Sequence, residues 1–377
     1  MKRLWAILIC GLCVGLAVLP ARAAPMDEVY ADQLAASGAA NLVEQLPADA
    51  QELLAQLELD SFRPQSFIGL RFEQILEGLL DLLSARMAGP AQALTTLVGV
   101  VALAALFSHL ESTVESVSLR QTYHGVAVLA AGGALLTPLA SLLENIRQTV
   151  DSVTVFMAGY VPVYGAVLAA SGSMAGAVSY QTTLLAAAEL LTWFIRSGVL
   201  PVLVVSLAMG CTGAVADGFC LESVSKTLHK TILWTLGLFS TVFSFVLSLQ
   251  QMVAASGDSL GGRAMKFSLS TFVPVVGGLL SEAYSTVVGC AGLLRSTVGC
   301  FGLVTTVLIL LPPFVSCICW NVCLHLAGSA AALFRLPSLE KLCQTAAGTM
   351  TVLLAVLAVF ALLMVVSTTV IVFAERA

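Results

Sequence analysis

Residues 348–373 read GTMTVLLAVLAVFALLMVVSTTVIVF, without one charged side chain. A run of about 18 or more such residues is long enough to cross a bilayer core of roughly 30 Å. In that core every backbone N–H and C=O must be satisfied within the segment or by protein neighbours, which leaves the helix as the natural solution. The run has company. Apolar stretches fall at about 91–110, 122–143, 153–171, 174–195, 197–216, 228–250, 265–281 and 297–320. Charged residues make up only 10% of the 377, whereas a water-soluble domain carries about 25%. A chain so poor in charge cannot clothe a water-facing surface. The runs are continuously apolar rather than alternating, which argues against a transmembrane β-barrel. The reading is an all-α polytopic membrane protein. Residues 283–294, between Glu282 and Arg295, are too short to span,. The nine candidates therefore reduce to six to eight full crossings, with one or two Pro/Gly-broken or re-entrant pieces.

The first residues are of another kind. MKRLWAILICGLCVGLAVLPARAAP begins with Lys2 and Arg3, continues apolar, and reaches Ala21-Arg22-Ala23. That is the layout of a secretory signal, residues 1–23, cut after Ala23; an uncleaved signal anchor is the other reading. Residues 24–90 follow as an acidic, water-compatible stretch with three Arg and no Lys. Positive residues tend to stay in the cytoplasm, so their scarcity puts this region outside. Phe72, Ile75, Leu76, Leu79 and Leu83 share one helical face there, with Glu73, Glu77 and Asp81 on another,. A lipid-surface helix prefers Lys and Arg on its polar face, so this one suits a partner helix or its own core. Gly89-Pro90 then separates it from a membrane domain over 91–377. Of the ten Cys, Cys10 and Cys13 lie in the signal and none lies in 24–90, which gives no disulfide framework. The net charge of −5 does not suggest nucleic acid.

Within the membrane domain one phrase occurs twice. AGYVPVYGAVL covers 158–168 and STFVPVVGGLL covers 270–280. Val161, Pro162, Val163, Gly165 and Leu168 match Val273, Pro274, Val275, Gly277 and Leu280 at an offset of 112, and Pro201 matches Pro313 at the same offset. Identity between these points is no more than apolar composition gives, so a weak internal repeat (about 153–264 and 265–377) stands beside coincidence. Proline removes a backbone donor and clashes with the preceding turn, and glycine permits conformations other residues avoid. Broken backbone at membrane depth belongs in protein or along a wet cavity. Paired interruptions in two halves point to a transport site; plain proline kinks are the alternative.

Ionisable residues inside apolar stretches are few. Glu189 lies seven residues before Arg196, about two helical turns, on the same side. Glu282 and Arg295 flank the short run. Such groups need a partner, a cavity or the interface, and snorkelling at membrane ends suits both arginines. The transport-path candidates are Pro162, Gly165, Glu189, Pro274, Gly277 and Glu282. CICWNVCLHL places Cys317, Cys319, Cys323 and His325 close together. Cys319 and Cys323 share a face, but no paired C-x-x-C is present and His325 points elsewhere. Cysteine is also simply a small apolar residue in a membrane helix, so no metal and no cofactor are expected. His109 and His124 lie near segment ends, where interfacial placement accounts for them. Glycine patches such as SGSMAG lack the phosphate-loop pattern and suit close helix packing. No nucleophile, base and oxyanion site assemble, so no enzyme activity is expected.

RAMKFSLSTFVPVVGGLLSEAYSTVVGCAGLLRSTVG, residues 263–299, resembles the stage III sporulation protein AE family of endospore-forming bacteria. The likeness rests on Arg263, Lys266 and Phe267, on Phe272–Gly277, and on the run Leu293–Gly299. The order of signal, exported helical region and membrane segments also resembles that family over nearly the whole chain. The resemblance implies a membrane component of a secretion-like channel complex, located in the mother-cell membrane around the forespore and needed for forespore development. Its N-terminal region would face outside the cytoplasm. Its partners would be the other membrane proteins of that complex and the bilayer, and self-association into a homo-oligomer is compatible with it. The family supplies no catalytic residues to carry over. Two function classes stay open: a conduit lined by the interrupted segments, with Glu189 and Glu282 as polar contacts, or a structural platform for partners. An unrelated secondary transporter is a third reading.

Overall fold

In a computed structural model of the chain, residues 46–56, 72–111, 117–215, 221–272 and 277–374 are described, with isolated positions between 34 and 43. A short helix, α1 (Ala48–Gln56), precedes the long ones. These are α2 (Phe72–Glu111), α3 (Val117–Ala170), α4 (Met174–Phe194), α5 (Leu200–Val215), α6 (Leu221–Phe272), α7 (Gly277–Leu333) and α8 (Pro337–Ala374). A π-helical segment, Ile195–Val199, joins α4 to α5 without a turn. Among the described residues six helical stretches are long and apolar enough to cross a membrane, with α4, the π segment and α5 counting as one. The all-helical polytopic reading holds, at the lower end of its range of crossings.

Nine apolar stretches become six because the polar connectors between several of them are helical. Residues 144–152 lie inside α3, and 258–267 lie inside α6. Those short polar words contain no obligatory breaker, and an intact i→i−4 ladder satisfies their backbone at no extra cost. The expected break at Pro162 does not occur either, since α3 runs through both Pro138 and Pro162. Proline in a long helix forfeits one hydrogen bond, which membrane helices absorb when neighbours supply partners. Likewise α2 continues through Gly89 and Pro90. Pro274, by contrast, lies outside the described residues, between the end of α6 and the start of α7. The turn after α3 is tight: Ser171 N–H, Gly172 N–H and Ser173 N–H donate back to the last turn, with Gly172 at φ 95°. The turn between α7 and α8 needs Arg335 at φ 56°, just before Pro337 opens the next helix.

The core runs the length of the bundle. α7 and α8 form its centre, with Val298, Phe301, Leu324, Met350, Leu357 and Phe360 all buried. Ala39, Leu42, Leu46, Ala50 and Leu54, ahead of the long helices, belong to the same buried core. Burying a large apolar side chain is worth about 1.5–3 kcal/mol against water. Where the surroundings are lipid, close packing and interhelical hydrogen bonds take over from that term.

Candidate functional site

The first V-P-V-x-G motif lies in the half of α3 nearest the Ser171–Ser173 turn. Tyr160, Val161, Tyr164 and Gly165 face inward and are buried, whereas Pro162 faces out. The one-turn spacing of Phe156, Tyr160 and Tyr164 stacks their rings with centroids 5.5 Å apart, and Tyr180 of α4 meets Tyr164 edge-on at 5.2 Å. Such pairs add about 0.5–1.5 kcal/mol beyond area burial. Tyr160 Oη donates to the carbonyl of Val298 on α7 at 3.2 Å. Its ring sits where a side chain on residue 302 would be: a Cβ there would lie 2.1 Å from the ring, so only Gly302 fits. Gly165 makes the same allowance for Gln181, which would stand 1.9 Å from its Cβ. The Gln181 amide donates to the Pro162 carbonyl at 3.4 Å. The motif therefore acts as a closely packed joint between α3, α4 and α7.

The remaining candidates scatter. Glu189 is exposed on α4, away from the tyrosines. Gly277 is the first residue of α7, and Glu282 lies in its opening turns with a side chain outside the described residues. Arg196 is half exposed on the π segment and pairs with Asp151 of α3 at 3.3 Å. Arg295 does not snorkel: it is 6% exposed on α7, one turn before Gly299, which abuts the Tyr164 hydroxyl. Burial rather than escape follows from the length of α7, which carries Arg295 past its first four turns into the core.

Two further polar joints lie in the opposite half. Ser206 of α5 hydrogen-bonds both Ser225 and His229 of α6, with His229 Nε2 at 2.9 Å. The imidazole lies over Gly348 of α8, where a Cβ would come within 2.7 Å of Nδ1. The one-turn spacing of Ser225 and His229 is visible in the sequence, but nothing there says that Ser206 completes the group. Ser206 is fully buried, so the cluster ties helices and offers no nucleophile to a substrate. Asn321 of α7 donates to the carbonyl of Ala347 at 3.1 Å and to Thr351 at 3.2 Å on α8. Cys317, Cys319, Cys323 and Cys343 are buried as free thiols. Among the described residues no three His, Cys, Asp or Glu side chains converge as a metal site would require.

Six apolar helical stretches, long enough to span and joined by glycine-fitted and hydroxyl joints, define an all-α polytopic membrane protein. The sequence pattern of the stage III sporulation protein AE family matches residues 64–375, and the chain belongs to that family. It is 24% identical over 242 residues to "Stage III sporulation protein AE" of Bacillus subtilis (strain 168). That match covers 64% of this chain and 59% of the relative. No solved structure matches.

Proposed function

We propose that this chain is the polytopic membrane component of a secretion-like channel complex between mother cell and forespore. It acts from the mother-cell membrane, with its N-terminal region outside the cytoplasm and other membrane proteins of the complex as partners. The observation that carries this reading is membership of a sporulation family over residues 64–375, joined to helices that suit a membrane. No reaction is assigned to the chain. Pro162, Gly165, Glu189, Pro274, Gly277 and Glu282 remain the residues proposed for a transport path. Because Glu189 is exposed on the outside of the bundle, a path that uses it forms between this chain and a neighbour rather than through one copy.

The platform reading draws on a different observation. Tyr160, Tyr164 and Gly165 are consumed by helix packing, so the motif has work to do without any conduit. One experiment separates the two. Glu189→Gln and Glu282→Gln are introduced into the chain in an endospore-forming host that lacks its own copy. Heat-resistant spores are counted, and the complex is recovered through a tagged partner. Spore loss with an intact complex supports the conduit. Spore loss only alongside complex loss supports the platform. Full sporulation without the chain at all sinks both.

A further inference from the structure

Tyr180 of α4 is fully buried, and its hydroxyl has no hydrogen-bond partner among the described residues. Gln251 Nε2 and Thr305 Oγ1 are buried without a partner too, but each has a remedy at hand. Thr305 can turn its hydroxyl to the carbonyl one turn back, as Thr297 and Thr306 do on the same helix,. Gln251 can exchange its amide nitrogen and oxygen by rotation about its last torsion. Tyr180 has neither choice. A phenol oxygen moves only with its ring, and this ring is held edge-on against Tyr164 at 5.2 Å. A donor left unpaired inside a bundle is costly, because folding has stripped it of water and returned nothing.

The close neighbours of the Tyr180 hydroxyl are the hydroxyls of Tyr160 on α3 and Ser367 on α8, both fully buried. Each has already committed its proton. Tyr160 Oη donates to the Val298 carbonyl at 3.2 Å, and Ser367 Oγ donates to the Met364 carbonyl at 2.9 Å. What they have left to offer is lone pairs. Around Tyr180 there is thus one proton to give, with two oxygens able to accept. Neither stands in bonding geometry to Tyr180, and a direct bond would serve only one of them. A water molecule serves both: it accepts from Tyr180 and donates to Tyr160 and to Ser367. That makes three hydrogen bonds, and a buried water typically makes about three. An anion could accept from Tyr180 alone, since the other two protons are spent. A metal ion would find three neutral oxygens and no carboxylate in the set. We propose that Tyr160, Tyr180 and Ser367 form a binding site for a single buried water, which joins α3, α4 and α8. Through the Val298 carbonyl the same site reaches α7. The site stands on the conduit and the platform readings alike.

Two measurements on the full-length chain in detergent test this. In an experimental density map fine enough to show ordered water, a peak should stand within hydrogen-bond distance of all three oxygens. A direct bond from Tyr180 to Ser367 or Tyr160, or no peak among the three, would overturn the proposal. The second measurement is thermal unfolding of Tyr180→Phe, Ser367→Ala and Tyr160→Phe, with the three double variants. A shared water predicts that each single change lowers the midpoint. It also predicts that every pair falls short of the sum, because the first change already releases the water. A direct bond from Tyr180 predicts a shortfall in one pair alone. An unpaired Tyr180 hydroxyl predicts that Tyr180→Phe unfolds at the parent midpoint or above it. Either of these, or any result short of coupling in all three pairs, rejects the site.

Discussion

The two halves of the bundle are held by different means. Around the first V-P-V-x-G motif, rings sit on glycines: Tyr160 on Gly302, with Phe156 and Tyr164 stacked on either side of it and Tyr180 edge-on to Tyr164. In the other half, polar side chains reach across: Ser206 to His229 and Asn321 to the backbone of α8. The first kind of joint depends on shape and tolerates no added atom. The second depends on partners as well as on shape, since the His229 imidazole also lies over a glycine, Gly348. A proline-glycine motif in a membrane helix is therefore as much a packing device as a hinge, and the neighbours decide which.

The largest expected effect breaks the aromatic joint. Gly302→Ala drives a methyl into the Tyr160 ring and should cost about 3 kcal/mol, at the upper end for overpacking,. The midpoint of thermal unfolding in detergent should fall clearly, and Tyr160→Leu in the same chain should restore part of it. No fall in Gly302→Ala would mean that α3 and α7 do not meet at this register. Next comes the polar joint. His229→Ala leaves Ser206 with one partner fewer and opens a space at Gly348; up to about 1.7 kcal/mol, the top of the range for an interhelical hydrogen bond in a membrane, is expected,. His229→Gln, which keeps a donor and an acceptor, should lose less in the same assay. Asn321→Leu sharpens the comparison further. Interhelical hydrogen bonds in membranes average about 0.6 kcal/mol, so a shift barely above error is expected although two bonds are lost. The smallest effect belongs to the half-exposed ion pair between Arg196 and Asp151. Arg196→Ala removes a half-exposed ion pair worth about 0.5 kcal/mol or less,, and its unfolding midpoint should match the parent within error.

Helix and membrane were legible from the chain itself. Runs such as 348–373 leave no other way to satisfy their backbone in lipid,, and the family was readable from residues 263–299. The course of the helices was not. Whether Pro162 breaks α3 depends on whether packing and the Gln181 amide hold its neighbours in place, and Gln181 belongs to another helix. The same holds for Arg295, whose burial follows from where α7 passes. It holds also for His229, whose partner Ser206 is 23 residues away. A sequence determines which segments must be helical because that requirement is local: each residue brings its own N–H and C=O to be satisfied. It does not state which side chain lies over which glycine, because that depends on the register between helices. Only the tertiary structure sets that register, through shape.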